Sequence, residues 1–194
     1  MKVLRSNILI EEIGFAPTKA DVKGLSSTWG ISEKLRGHNP MRIGVVKSIG
    51  TGTKTVQEGD IVLYLSHYLM IIPGLPVNQF MIYEGNLMGR YEGIENKNGT
   101  LKMDKIKFTP LSDRIIVKKD EPAKPKNGLM VTDTTSSTKP LTGTIVKVGD
   151  LQLERPLVVK EGDKIMFTRV AGMEIELEEG KFLIMREADV IGIF

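Results

Sequence analysis

The chain has no cysteine, so it can form neither a disulfide nor a thiolate zinc site. Its two histidines, His38 and His67, do not stand at metal-ligand spacing with another strong ligand, and each reads as structural. Aromatic residues make up 6% of the chain, with Trp29 the one tryptophan. The longest apolar run, Tyr68 to Leu75, is too short to span a bilayer, so no membrane role is expected. Met1 to Glu12 enters a strand-like run directly, with neither a signal-peptide core nor an Arg/Ser-rich transit segment. The net charge of +3 comes from interspersed basic and acidic residues, without the basic stripe of a nucleic-acid binder. Long amphipathic helical windows are missing too. Short apolar runs broken by Gly turns point to an all-β chain.

Catalytic constellations are equally scarce. Gly50-Thr51-Gly52-Thr53 lacks the Gly-Lys-Ser/Thr ending of a phosphate loop, and no helical pattern follows it. Glu174 to Glu178 alternates acidic and apolar residues, as a half-exposed strand entering a turn does. No nucleophile has an adjacent base, so no catalytic residue, no metal ligand and no cofactor is assigned.

What is present is a repeat. Val3 to Ile10 parallels Pro110 to Val117, and Gly44 to Gly50 parallels Gly143 to Gly149. Glu58-Gly59-Asp60 and the apolar run after it parallel Glu161-Gly162-Asp163 and its run. Met81 to Gly89 parallels Ile184 to Gly192. A period near half the chain means two copies of one domain rather than a solenoid. The expected division is 1–93 for the first copy, 94–105 for a linker and 106–194 for the second copy. Asn, Gly and Lys dominate the first half of the linker, which fully extended would reach roughly 40 Å at about 3.3 Å per residue.

The second copy carries the most informative stretch. After the β-branched run ending at Val117, residues 120–140 are mostly Pro, Lys, Gly, Ser, Thr and Asp. Such a composition cannot bury enough apolar area to offset its ordering entropy, and it predicts a mobile loop. Within it stand Gly128, Leu129, Met130 and Val131. Three adjacent apolar side chains in a solvated loop either tuck onto the core or form a hook that folds onto a partner.

Pro110 to Val117, a polar loop bearing Gly128-Leu129-Met130-Val131, Gly143 to Gly149, Val159 to Phe167 and Phe182 to Ile193 together resemble the GroES family. These are the small co-chaperonins that cap chaperonin rings. The resemblance covers nearly all of the second half in order and spacing. With the repeat, it implies two tandem small GroES-like β-barrels, in the manner of the double co-chaperonins of chloroplasts. It further implies a homo-oligomer whose partner is a GroEL-type chaperonin ring. ATP is bound by that partner, and this chain needs no cofactor. The implied compartment is the cytoplasm of a bacterium or virus-infected host, with a mature plastid form as the alternative.

The resemblance makes Gly128, Leu129, Met130 and Val131 the chaperonin-binding loop. In the first copy the corresponding loop holds Gly24, Leu25, Trp29 and Ile31, but Ser26-Ser27 replaces the apolar pair. There Trp29 or Ile31 could substitute, although packing of Trp29 against the barrel is the favoured reading. The family's roof hairpin falls at Asp150 to Lys160, around Leu151 and Leu153. Its first-copy equivalent, Thr51 to Gln57, is a bare turn. Tyr68 to Val77 reads as an insertion, either a core strand and turn or a contact between domains or subunits. The family's chaperonins present seven sites. An even domain count must therefore meet an odd ring, or seven chains use only the second loop. The competing class is a ring-forming structural or assembly protein that reuses the barrel.

Overall fold

A computed structural model describes residues 2–15, 40–97, 100–120, 141–149 and 156–194. The chain folds into two six-stranded antiparallel sheets, one built on each copy of the repeat. The first contains β1 (Asn7–Phe15), β2 (Met41–Ile49), β3 (Ile61–Leu65), β4 (Gln79–Tyr83), β5 (Leu87–Lys97) and β6 (Thr100–Pro110). The second contains β7 (Arg114–Lys119), β8 (Leu141–Val148), β9 (Lys164–Phe167), β10 (Met173–Leu177), β11 (Gly180–Arg186) and β12 (Val190–Ile193). Strand order is β4-β1-β2-β3-β5-β6 in one sheet and β10-β11-β7-β8-β9-β12 in the other. The repeat predicts two copies of one domain, and the two sheets agree with the two small β-barrels that the resemblance implies.

The repeat extends to individual pairings. Leu9↔Met81 corresponds to Ile116↔Ile184, Ile10↔Val46 to Val117↔Ile145, and Leu63↔Gly89 to Met166↔Gly192. Even the ladder irregularities coincide, between Leu9 and Ile10 in one copy and between Ile116 and Val117 in the other. Each Glu-Gly-Asp is a turn with glycine in the left-handed region, φ 92° at Gly59 and 90° at Gly162. Its aspartate closes the turn: Gln57 N–H donates to Asp60 Oδ2 and Lys160 N–H to Asp163 Oδ2, both at 2.8 Å. These acids are turn formers, as the sequence predicts.

Arg5 (φ 59°) and Ser112 (φ 55°) share a position of the repeat, where a non-glycine residue turns the chain into β1 or β7. The glycine packed over each turn is forced by space. A Cβ on Gly50 would run into the Arg5 carbonyl oxygen, and one on Gly149 into that of Ser112. Instead, Gly149 N–H donates to Arg114 O at 2.7 Å and Gly50 N–H to Asn7 O at 2.9 Å.

The segment expected to be a linker carries strand pairing on both of its described arms. Residues 94–97 and 100–105 lie in the outer arms of the β5 and β6 ladder, with Ile94↔Met103, Asn96↔Leu101 and Lys97↔Thr100 paired. The Asn98-Gly99 dipeptide between the arms is the strongest short-range hairpin signal, and it outweighs the polar composition that suggested a tether. The ladder continues inward through Glu92↔Lys107, Tyr91↔Phe108 and Gly89↔Pro110. By the repeat, β6 opens the second copy, so the two barrels are joined by backbone pairing.

Apolar packing reinforces that junction. One cluster combines Met41, Ile43, Ile61, Leu63, Met88 and Tyr91 of the first copy with Phe108, Ile116, Ile175, Phe182 and Ile184 of the second. Tyr91 and Phe108 meet edge to face, with ring centroids 4.9 Å apart. Two further clusters fill the barrels, one around Ile8, Ile10, Tyr64, Ile82 and Leu87, the other around Ile115, Val117, Ile165, Phe167 and Met185. At the rim of the junction, Glu92 accepts from Lys107 Nζ at 2.8 Å and from Thr109 Oγ1 at 2.9 Å. The Lys107 bond first, then the Thr109 bond, hold the Glu92 carboxyl below its ordinary 4.5.

Three outcomes follow for the isolated protein. Phe108→Ala removes a fully buried ring from the shared cluster and should cost about 3–5 kcal/mol in urea unfolding. Gly149→Ala should cost about 1–3 kcal/mol or more, because backbone must move to admit the methyl group. Since the folded pKa of Glu92 is lowered, its contribution is present above the unfolded value and fades as pH falls through the folded one. Stability should therefore decline below about pH 4.5. Glu92→Gln should flatten that decline by about 0.2–1 kcal/mol, the size of a solvent-exposed pair.

Candidate functional site

The sequence-assigned residues fall on two loops and a roof segment. Gly128, Leu129, Met130 and Val131, the first-copy Gly24, Leu25, Trp29 and Ile31, and the roof residues Leu151 and Leu153 all lie outside the described residues. The strands that carry these segments are described, and they fix where each begins and ends.

The second-copy loop leaves at the end of β7 and returns at the start of β8. Those strands pair Lys119 with Gly143. Beyond this pair Asp120 closes the base twice. Its N–H donates to Thr142 O at 3.0 Å, and its Oδ2 accepts from Thr142 Oγ1 at 2.7 Å. Lys164 Nζ stands 3.5 Å from the same oxygen, bringing β9 into the clasp. Gly143 has no room for a side chain, since a Cβ would meet Lys118 O and Val117 Cγ1 at 2.7 Å. The two loop ends are thus pinned side by side on one rigid edge of the barrel.

The first-copy loop has a comparable base made from different residues. Phe15 pairs with Arg42, and Ser66 N–H donates to Pro40 O at 2.8 Å. Glu12 stands between Arg42 (3.8 Å) and the Tyr64 hydroxyl, which donates to it at 3.4 Å. Burial, followed by the charge of Glu12, pushes the Tyr64 phenol far above its usual range, so the hydroxyl stays protonated.

A glutamate in each copy binds the described residues that follow the expected roof position. Glu84 and Glu187 occupy the same position of the repeat, each at the start of a short 3₁₀ turn (Glu84–Asn86 and Glu187–Asp189). Glu84 Oε1 accepts from the N–H groups of Lys54 and Thr55 and from Thr55 Oγ1, at 2.7–2.8 Å. Glu187 Oε1 accepts from the N–H groups of Val158 and Val159. Each carboxylate thus holds the non-strand segment that follows the expected roof position. The signal was the Glu shared by the aligned runs Met81–Gly89 and Ile184–Gly192.

In the first copy the roof position is a tight turn. Thr53 N–H donates to Gly50 O, and Gly52 N–H to Arg5 O, both at 3.0 Å. The Gly50-Thr51-Gly52-Thr53 stretch is bound to its own barrel and leads to no helix. Among the described residues, no group of three or more His, Asp or Glu could hold a metal ion. His67 is exposed and stacks against Tyr68 at 4.1 Å. No helix among the described residues is long and apolar enough to cross a membrane.

Tyr68 to Val77 also finds its place. Met70 bridges to Met81, as Met173 of β10 pairs with Ile184 of β11. The apparent insertion is therefore the first copy's counterpart of β10, reduced to a single bridge. Pro73 and Pro76 withhold ladder donors, which explains the reduction.

Comparison with known proteins agrees with this architecture. Residues 107–194 match the family model described as the chaperonin 10 kDa subunit. The chain is 42% identical over 96 residues to the co-chaperonin GroES of Rhodothermus marinus, spanning 47% of this chain and 95% of that protein. It is 44% identical over 94 residues to the GroES of Myxococcus xanthus, covering 45% of this chain and 97% of the relative. For the GroES of Desulfosudis oleivorans the identity is 40% over 94 residues, covering 45% and 98%. Each relative is thus matched over nearly its whole length by about half of this chain, and the chain belongs to the chaperonin 10 kDa subunit family, the GroES co-chaperonins.

Proposed function

We propose that this co-chaperonin caps an ATP-driven chaperonin ring of the GroEL type, and that its second copy supplies the contact through Leu129, Met130 and Val131. The observation that carries this reading is the pairing of an apolar triplet in a polar loop with a rigid clasp at Asp120, Thr142 and Lys164. Gly128 precedes the triplet, and glycine is the residue that permits a sharp turn. A loop that orders on binding gives up about 2–5 kcal/mol of the gross interaction energy. One such contact is weak. Several on one assembly raise avidity by about 10²–10⁴ over a single site. Nucleotide-driven changes in the ring can then release them together.

Binding and hydrolysis of ATP belong to the ring, and this chain contributes no catalytic group or cofactor of its own. The working compartment is that of the ring: a bacterial or infected-host cytoplasm, with the plastid stroma as the alternative. The first copy, whose loop has Ser26-Ser27 beside Leu25, widens or raises the cap rather than adding an equal contact.

Size exclusion with light scattering, run with a GroEL-type ring with and without ATP, tests this reading. Nucleotide-dependent co-elution is expected. It should be lost in Leu129→Ser with the unfolding midpoint unchanged. Co-elution that survives Leu129→Ser sinks the loop assignment, and no co-elution under any nucleotide favours a structural ring protein instead.

A further inference from the structure

The two copies differ in chemistry at one matched place. Beside the β5–β6 ladder lies a pocket of about 190 Å³, whose polar lining is Lys54, Thr55, Gln57, Arg90 and Thr109. No described carboxylate lines it. The matching depression of the second copy is lined by Asp113, Glu187, Val158 and Ile193, and by no described lysine or arginine. By the repeat, Lys54 corresponds to Leu157, Thr55 to Val158 and Arg90 to Ile193. Two cations thus stand in one copy where the other has aliphatic side chains.

The fold does not use these cations up. Arg90 and Thr109 face each other across the ladder, so their side chains leave it on one face. Arg90 Nε is buried and has no hydrogen-bond partner among the described residues, a costly state for a guanidinium donor. Arg90 Nη1 stands 3.8 Å from Asp60 Oδ2, too far for a hydrogen bond. That oxygen already accepts from Gln57 N–H. The Arg90 side chain is nevertheless 36% exposed, so its fork can be reached from solvent. Lys54 is exposed, and no ion pair joins it to a described residue. The nearby carboxylates are engaged elsewhere. Glu84 accepts from the N–H groups of Lys54 and Thr55 and from the Thr55 hydroxyl. Glu92 accepts from Lys107 and Thr109.

We propose that this pocket binds a phosphate-class oxyanion, held by the Arg90 fork with Lys54 as the second cation, and that the bound ion braces the junction between the copies. A planar guanidinium matches two oxygens of a tetrahedral anion, and a lysine adds a point charge. The volume is far above the about 30 Å³ that one water takes, so a hydrated ion fits. Because Thr109 belongs to β6 and the other polar residues to the first copy, one ion would touch both sides of the ladder. The second copy, with carboxylates in the matching place, would repel it. This inference does not rest on the capping reading, because it concerns the protein without a chaperonin.

The test titrates inorganic phosphate into isotope-labelled full-length protein, with chloride withdrawn to hold ionic strength constant, and follows nuclear magnetic resonance shifts. The Arg90 Nε–H signal should shift saturably, together with the amides of Thr55 and Gln57, while the Arg186 Nε–H signal stays in place. Arg90→Ile and Lys54→Leu shift the site toward the second copy's chemistry. Arg90→Ile should weaken binding about tenfold or more, as losing a hydrogen bond to a charged group does. Lys54→Leu should weaken it about two- to fivefold, the size of a solvent-exposed charge contact. Arg90→Lys keeps the charge without the fork and should fall between wild type and Arg90→Ile. Lys54 is exposed, so its variant reports even where Arg90→Ile fails to fold. AMP forms a second arm: tighter binding than inorganic phosphate assigns the site to the phosphoryl group of a larger molecule, and weaker binding to the free ion. Shifts that do not saturate, an equal response to chloride, or an affinity unchanged in both Lys54→Leu and Arg90→Lys would overturn the proposal.

Discussion

The backbone pairing of β5 with β6 is the interaction on which the rest depends. Without it the chain would be two beads on a string. With it, the last strand of one barrel and the first of the next form a single ladder, and Phe108 is carried into the neighbour's apolar cluster. Hydrogen bonds supply direction and register here. The free energy comes mainly from burying Tyr91, Phe108, Met88 and the second-copy residues Ile116, Ile175, Phe182 and Ile184. Register matters because a slip of one residue would turn Phe108 away from Tyr91.

The same economy of design runs through each barrel. A left-handed residue turns the chain, a glycine without room for a Cβ lies across it, an Asp closes one turn and a Glu binds the backbone of the segment before the next strand. Each of these groups has a structural partner within its own copy, although several are charged or sit at positive φ. They place the bases of the two loops, and the segments bound by Glu84 and Glu187, at fixed positions on the frame. Capping asks for such a frame, because simultaneous weak contacts add up only when their spacing is held.

Much of this was legible in the sequence. The strands announced themselves through β-branched runs, and the Glu-Gly-Asp turns through residue types that do one local job. The repeat was legible because each copy kept the same local devices in the same order. Three features were not. The 94–105 segment looked like a linker because the composition of its first half is polar, whereas strand pairing there depends on the partner strand, which composition does not show. Tyr68 to Val77 looked like an insertion because its prolines erased the alternation of a strand while a single bridge kept its place. The shared core was invisible because Ile116 and Ile184 read as ordinary barrel residues, and only the fold turns them toward the other copy. The loop and roof assignments came from local apolar residues in polar surroundings, a signal that names contact residues without giving their geometry.

Joining two barrels through a hairpin also changes what evolution can do with them. In an assembly of single-domain chains, every contact is made by the same residues, so a substitution appears at all of them at once. Here the hairpin holds its two strands together at an effective concentration set by the chain, independent of how much protein the cell makes. The internal contact can therefore tolerate substitutions that would dissolve an assembly of separate chains. Because the copies are encoded separately, the loop of one can drift, as Ser26-Ser27 shows, while the other keeps its apolar triplet. Fusion thus turns a repeated part into two parts free to specialise.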